Sequence, residues 1–145
     1  MENLLKNEII RKLSGLNFAT IDLNNGGHTS MLHVGVSNEE LLRRRKHDSV
    51  GNVSTFEDVN IFDVCIYTFI NDNIDYIVKW LEDPSANDRL VEEYFLDEGE
   101  KVGRVLLPNG GIKNTECYRV VLQKNDKRTG AAEMPFDCVN MFPVL

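Results

Sequence analysis

The chain has 145 residues, 42% of them apolar, and 16 Lys and Arg against 23 Asp and Glu give a formal net charge of −7. That length suits one domain with one buried core, and the negative balance excludes general coating of nucleic acid, which needs a broad basic surface. No apolar run approaches the roughly 18 residues that span a bilayer, and Met1-Glu2-Asn3 begins no positive leader, so neither membrane insertion nor a signal peptide is expected.

The charge is unevenly spread. Residues 1–50 hold 7 basic and 6 acidic side chains, residues 51–145 hold 9 and 17, which leaves room for a local basic cleft in the first part. The cysteines, Cys65, Cys117 and Cys138, are odd in number, far apart and without a Cys-x-x-Cys pair. They indicate buried free thiols rather than a disulfide framework or a zinc site.

Taken in order, residues 1–14 set Leu4, Leu5, Ile9 and Leu13 at helical spacing before Ser14-Gly15, predicting an amphipathic helix. Asn24-Asn25-Gly26-Gly27 is turn chemistry. A short helix over His28–Val34 would hold His28 and His33 about 500° apart at roughly 100° per residue, which argues against a helical metal pair. Ser37 followed by Glu40 is a capping box for a helix running to about Lys46, with Arg43-Arg44-Arg45 on it and His47 after it as a cap. Two histidines beside the densest positive charge of the chain point to chemistry on a phosphate; the plain reading of the same run is a solvated helix end. Ser54-Thr55-Phe56-Glu57 reads as a second capping box, opening a buried helix with Val59, Phe62, Val64, Ile66, Phe69 and Ile70. Asn71-Asp72-Asn73 breaks it, and a further helix through Trp80-Leu81 ends before Pro84.

Beyond Ser85-Ala86-Asn87 the period changes. Leu90–Leu96, Val102–Leu107, Cys117–Gln123 and Phe136–Phe142 are short runs rich in β-branched and aromatic residues, separated by Asp97-Glu98-Gly99, Pro108-Asn109-Gly110-Gly111 and Lys124–Gly130. Helices grouped before strands predict an α+β fold, with N-terminal helices packed on a C-terminal antiparallel sheet. Lys124 and Lys127-Arg128 either line a substrate groove or decorate a solvated hairpin tip.

Several spaced pieces then resemble one family, the bacterial RNase A-like toxin domain at the C-termini of contact-dependent growth inhibition proteins. They are Gly26-Gly27-His28-Thr29, His33-Val34-Gly35, Glu40-Leu41-Leu42-x-Arg44, Ser54-Thr55-Phe56, Trp80-Leu81, Val102-Gly103-Arg104-Val105 and Tyr118-Arg119-Val120-Val121-Leu122. The likeness covers residues 26–143 of a single domain 1–145, with residues 1–25 as an N-terminal helix and loop. It implies an RNase A-like fold without disulfides, and active-site roles for His33 and for Arg44 eleven residues later. The family's last strand usually reads Thr-x-Tyr-Pro, with both hydroxyls in the site; here it reads Asn140-Met141-Phe142-Pro143. The Asn140 amide still hydrogen-bonds, whereas Phe142 has no polar atom. His28 is a possible second proton-transfer group. The implied activity is metal-independent cleavage of RNA by a delivered toxin in a competitor's cytoplasm, by a monomer with no cofactor, no metal and a cognate immunity protein. A non-catalytic binding or decoy module on the same scaffold is the alternative.

Overall fold

In the computed structural model, which describes residues 4–13, 34–48, 53–97, 99–125 and 134–145, helical spacing becomes helix through most of the N-terminal part. Helix α1 is Leu4–Leu13, α2 is Asn38–Asp48, α3 is Val59–Asp72 and α4 is Ile74–Glu82. The four-residue spacing of Ile9 and Leu13 puts both on the buried face of α1. Ser37 starts α2, its Oγ accepting the Glu40 N–H at 3.2 Å. Asn73 separates α3 from α4: its backbone N–H and its Nδ2 both donate to the Phe69 carbonyl, at 3.1 and 2.9 Å. The Asn24–Gly27 turn, His28, His33 and Lys127-Arg128 lie outside the described residues.

Ser54-Thr55-Phe56-Glu57 does not open a helix. Val53–Phe56 is strand β1, and all four of its residues are buried. The helix begins only at Val59, with the Asp58 side chain accepting the Ile61 N–H at 2.8 Å. Ser-x-x-Glu has the letters of a capping box, but pairing of Val53–Phe56 with a distant strand overrides that local signal. Val59 and Val64, expected inside, are 43% and 47% exposed, while Phe62, Cys65, Ile66, Phe69 and Ile70 form the buried face of α3.

The remaining strands are β2 (Arg89–Phe95), β3 (Gly103–Leu106), β4 (Ile112–Thr115), β5 (Cys117–Lys124) and β6 (Phe136–Val144). They form two three-stranded antiparallel sheets, in the orders β1-β3-β4 and β2-β5-β6. The α+β plan holds, but the first sheet recruits β1 from the helical part, and β4 was hidden because Ile112-Lys113-Asn114-Thr115 has no apolar alternation. α1, α3 and α4 cover one face of the second sheet and enclose the main core. In that core the Phe56 ring meets Phe62 and Tyr118 edge-on, with centroids at 5.6 and 6.2 Å. The Tyr118 hydroxyl donates to the Cys65 carbonyl at 2.7 Å, and burial pushes both the Tyr118 phenol and the Cys65 thiol well above their ordinary pKa. All three cysteines are free thiols. A second, smaller cluster of Val36, Leu41, Val53 and Leu106 lies under α2.

The sheets meet where β6 runs beside β1 and β3. Thr115 Oγ1 donates to the Val144 carbonyl across this seam. Gly103 makes the approach possible, because a Cβ there would sit 2.1 Å from the Thr55 carbonyl oxygen and 2.8 Å from Pro143 Cγ. Backbone oxygen cannot yield as a flexible side chain would. Gly103→Ala is therefore expected to cost at least about 2 kcal/mol of stability. Chemical unfolding of the two proteins checks this, and equal midpoints with equal slopes would contradict so close a seam.

Candidate active site

Alternation along β1 sends neighbouring side chains to opposite faces. Phe56 enters the main core, so Thr55 points to the other side, where α2 lies. There Thr55 Oγ1 accepts the Val36 N–H at 2.9 Å and donates to the Phe56 carbonyl at 2.9 Å. The Gly35 N–H donates to the same carbonyl at 2.9 Å, and Val34 forms a parallel bridge to Phe56. Gly35 turns the chain with φ +64, a conformation that suits glycine. The expected helix over His28–Val34 thus does not reach Val34, which is extended against β1.

Arg104 of β3, paired with Thr55, fastens the same segment from a third direction. Its Nη2 donates to the Val36 carbonyl at 2.6 Å, and its Nη1 donates to Asn38 Oδ1. Glu57 Oε1 lies 3.3 Å from Arg104 Nε and 2.9 Å from Lys101 Nζ, which balances the charge of the partly buried guanidinium. Residues 34–38, which directly follow His33 and lead into α2, are therefore held by β1 and β3 together.

Two turns into α2, Arg44 keeps only 19% of its side chain exposed, with Nε 3.3 Å from Glu40 Oε1. Arg43 grips the same carboxylate with two nitrogens, at 2.8 and 2.6 Å. That is why the return half of the Ser37 capping box is not made: Glu40 faces its arginines instead of the helix start. The hydrogen bond from Arg43, aided by the charges of both arginines, holds the Glu40 carboxyl down at about 2.

On β6, Phe136 and Cys138 face the main core, and so does Met141. An odd spacing between Cys138 and Met141 breaks strict alternation, and a bulge resolves it: Leu122 pairs with Cys138 but Val121 with Asn140, leaving Val139 as the extra residue. After the bulge Asn140 and Phe142 both project from the face away from the core. Phe142 lies opposite Arg119 of β5, whose guanidinium carbon is 5.6 Å from the ring centroid. β6 also runs beside β1, whose Thr55 side carries α2.

Of the site residues expected from sequence, Arg44 thus sits on α2, and Asn140 and Phe142 sit on the outer face of β6. His28 and His33 fall outside the described residues, although Val34 fixes where the chain leaves His33. Lys124 is engaged elsewhere: its Nζ donates to the Asp83 carbonyl at 2.9 Å and lies 5.7 Å from the Trp80 ring centroid, at the end of α4. Sequence reasoning passed over Thr55, Arg104 and Arg119 as individual contributors. Their only local signal is a polar side chain in an otherwise apolar strand. Among the described residues no three His, Cys, Asp or Glu side chains gather as metal ligands.

The sequence profile of the bacterial CdiA-CT RNAse A domain matches residues 27–134. The match ends before β6, so Asn140 and Phe142 lie beyond it. The fold is similar to that in the crystal structure of a CdiA-CT/CdiI complex from Y. kristensenii 33638, with a TM-score of 0.67 and 18% identity, over 78% of this chain and 95% of that one. No curated protein matches the chain.

The Glu40 pairing predicts a pH signature. Its folded pKa is depressed from 4.5 to about 2, so its stabilising contribution is present above pH 4.5 and is lost as pH falls towards 2. Carboxyl NMR should find the Glu40 midpoint near 2 in the parent and displaced upward in Arg43→Ala. A parent midpoint at an ordinary glutamate value would mean that the two arginines are not held by it.

Proposed function

Because the chain belongs to the bacterial CdiA-CT RNAse A domain family, we propose that it is a metal-independent endoribonuclease toxin, delivered into a competitor's cytoplasm and neutralised in its producer by an immunity protein. The observation that carries this reading is the match of the family over residues 27–134 together with its fold. In this reading Arg44 on α2 and Asn140 and Phe142 on β6 line one site, which is supported by the fastening of the segment after His33 and of α2 to β1 and by the outward register of Asn140 and Phe142. No helix among the described residues is long and apolar enough to cross a membrane. A partner that neutralises the domain accords with the related structure, whose own toxin is described in complex with CdiI.

The reaction needs a group to take the 2′-hydroxyl proton, a proton for the departing 5′-oxygen, and fixed positive charge for the phosphorane between them. The 2′-oxygen attacks phosphorus, the P–O5′ bond breaks, and the products are a 2′,3′-cyclic phosphate and a free 5′-hydroxyl. His33 is the proton-transfer group in this scheme, since an imidazole titrates near neutral pH and such transfer is worth about 10²–10⁴-fold. His28 is a second candidate for it. The planar fork of an arginine matches two non-bridging oxygens, so Arg44 meets the developing charge. Glu40 holds that fork through its Nε.

A second reading rests on β6 itself. Asn140 and Phe142 stand where the resemblance implies a threonine and a tyrosine, and Phe142 offers no donor at all. A scaffold that binds RNA or a partner without cutting would keep the fold and lose these hydroxyls.

Mixed RNA incubated with the protein in chelator, beside a His33→Ala control, separates the two. Slow cleavage that depends on His33 is expected, since losing a transition-state donor typically costs on the order of 10²–10³ in rate. Asn140→Thr with Phe142→Tyr should raise that rate at least about tenfold, one recovered charge-assisted hydrogen bond being worth roughly 1.5–3 kcal/mol. If the parent cuts no faster than its His33→Ala variant and the double variant is folded but equally inert, the binding module replaces the enzyme.

A further inference from the structure

Glu93, Arg119 and Phe142 form one row across β2, β5 and β6, each paired in register with the next. Arg119 projects outward because both neighbours, Tyr118 and Val120, are fully buried on the opposite face. Its Nη2 lies 2.6 Å from Glu93 Oε1, and its guanidinium carbon lies 5.6 Å from the Phe142 ring centroid. The next pair on the same face of these two strands is Val121 with Asn140. A cation therefore stands directly over the residue that has lost its hydroxyl, one step from the amide that remains.

We infer that Arg119 is a substrate-binding residue: seated on the Phe142 ring, its guanidinium takes up a phosphodiester of an RNA strand lying on the outer face of β5 and β6. The inference rests on the ribonucleic acid reading of this surface, but not on catalysis. Three features support it. The aromatic ring orients the planar guanidinium and lowers the entropy lost when its fork engages two phosphate oxygens. Arg44 shares a carboxylate with Arg43, so a strand with several phosphates has use for a further cation. The Glu93 carboxylate occupies the position of an anionic ligand, yet the Arg119 and Glu93 side chains are 39% and 54% exposed, and an exposed ion pair of this kind is readily exchanged. Glu93 thus acts as an internal competitor that phosphate displaces. A phosphate contact without a proton-transfer role belongs mainly to KM, not to kcat.

The test uses the full chain and a 2′-O-methyl RNA oligonucleotide, which cannot be cut because its 2′-oxygen carries no proton. Fluorescence anisotropy over a salt series compares the parent with Arg119→Ala, Arg119→Lys and Glu93→Gln. Arg119→Ala should weaken binding about tenfold and reduce the slope of log affinity against log salt by about 0.7, the loss of one phosphate contact on a single strand. Arg119→Lys should recover the slope but not all of the affinity, and Glu93→Gln should tighten binding severalfold by removing the competitor. Unchanged affinity and slope in both Arg119→Ala and Glu93→Gln, or no binding by the parent at low salt, would overturn the inference. Should Arg119→Ala fail to fold, Glu93→Gln decides alone. The outcomes for the two readings are distinct: a parent that cleaves RNA with unaltered binding in these variants keeps the enzyme and loses the role of Arg119. A parent that cuts nothing but binds through Arg119 keeps this inference and loses the enzyme.

Discussion

Strand β1 has no solvent face, and the arrangement of the whole molecule follows from that constraint. Its Phe56 side belongs to the main core, against Phe62 and Tyr118, while its Thr55 and Val53 side carries the segment that becomes α2. A strand that serves two layers must be paired along its length, since unpaired buried backbone groups are costly. β3 meets that need on one edge, and the Val34 bridge with the Gly35 N–H meets part of it near Phe56. Thr55 adds the buried hydroxyl that satisfies Val36. The residues beside His33 and the helix bearing Arg44 are in this way set by the same four-residue strand.

The second sheet turns Asn140 and Phe142 outward, and it does so by an irregularity. Had β6 alternated strictly, a chain burying Cys138 would have turned Asn140 inward and Met141 outward. The extra residue at Val139 reverses this, so Met141 enters the core and the Asn140–Phe142 pair emerges. The glycine at 103 then lets the two sheets close together, because no side chain intervenes between β3 and the Thr55 carbonyl or Pro143. Packing demands both devices, and the bulge is what turns Asn140 and Phe142 outward.

Much of this is legible in the residues, though unevenly. Helical spacing found α1, α3 and α4, and Ser37 located the start of α2 and hence Arg44 within it. Asn140 and Phe142 came from the family resemblance, and the strand register puts them on one face. β1 was missed because burial on both sides erases the alternation by which a strand is recognised, and Ser54-x-x-Glu57 imitates a helix start. β4 was missed for the opposite reason, being mostly polar. The bulge leaves no local signature. Arg119 looks like the ordinary outward residue of an amphipathic strand until the register sets it opposite Phe142. Arg104 likewise gains its role only from contacts more than sixty residues away in sequence. His33, central to the chemistry read from the family resemblance, lies outside the described residues.

In the proposed function RNA lies against α2 and the outer face of β5 and β6, away from the helices that cover the core. Amide chemical-shift mapping on titration with a 2′-O-methyl RNA oligonucleotide tests it most directly. Perturbations should cluster at Arg44, Arg119, Asn140 and Phe142, with none beyond the background at Val64, Tyr67 and Tyr76, which are exposed on α3 and α4. Shifts concentrated on those helical residues, with Arg119 and Asn140 silent, would contradict it.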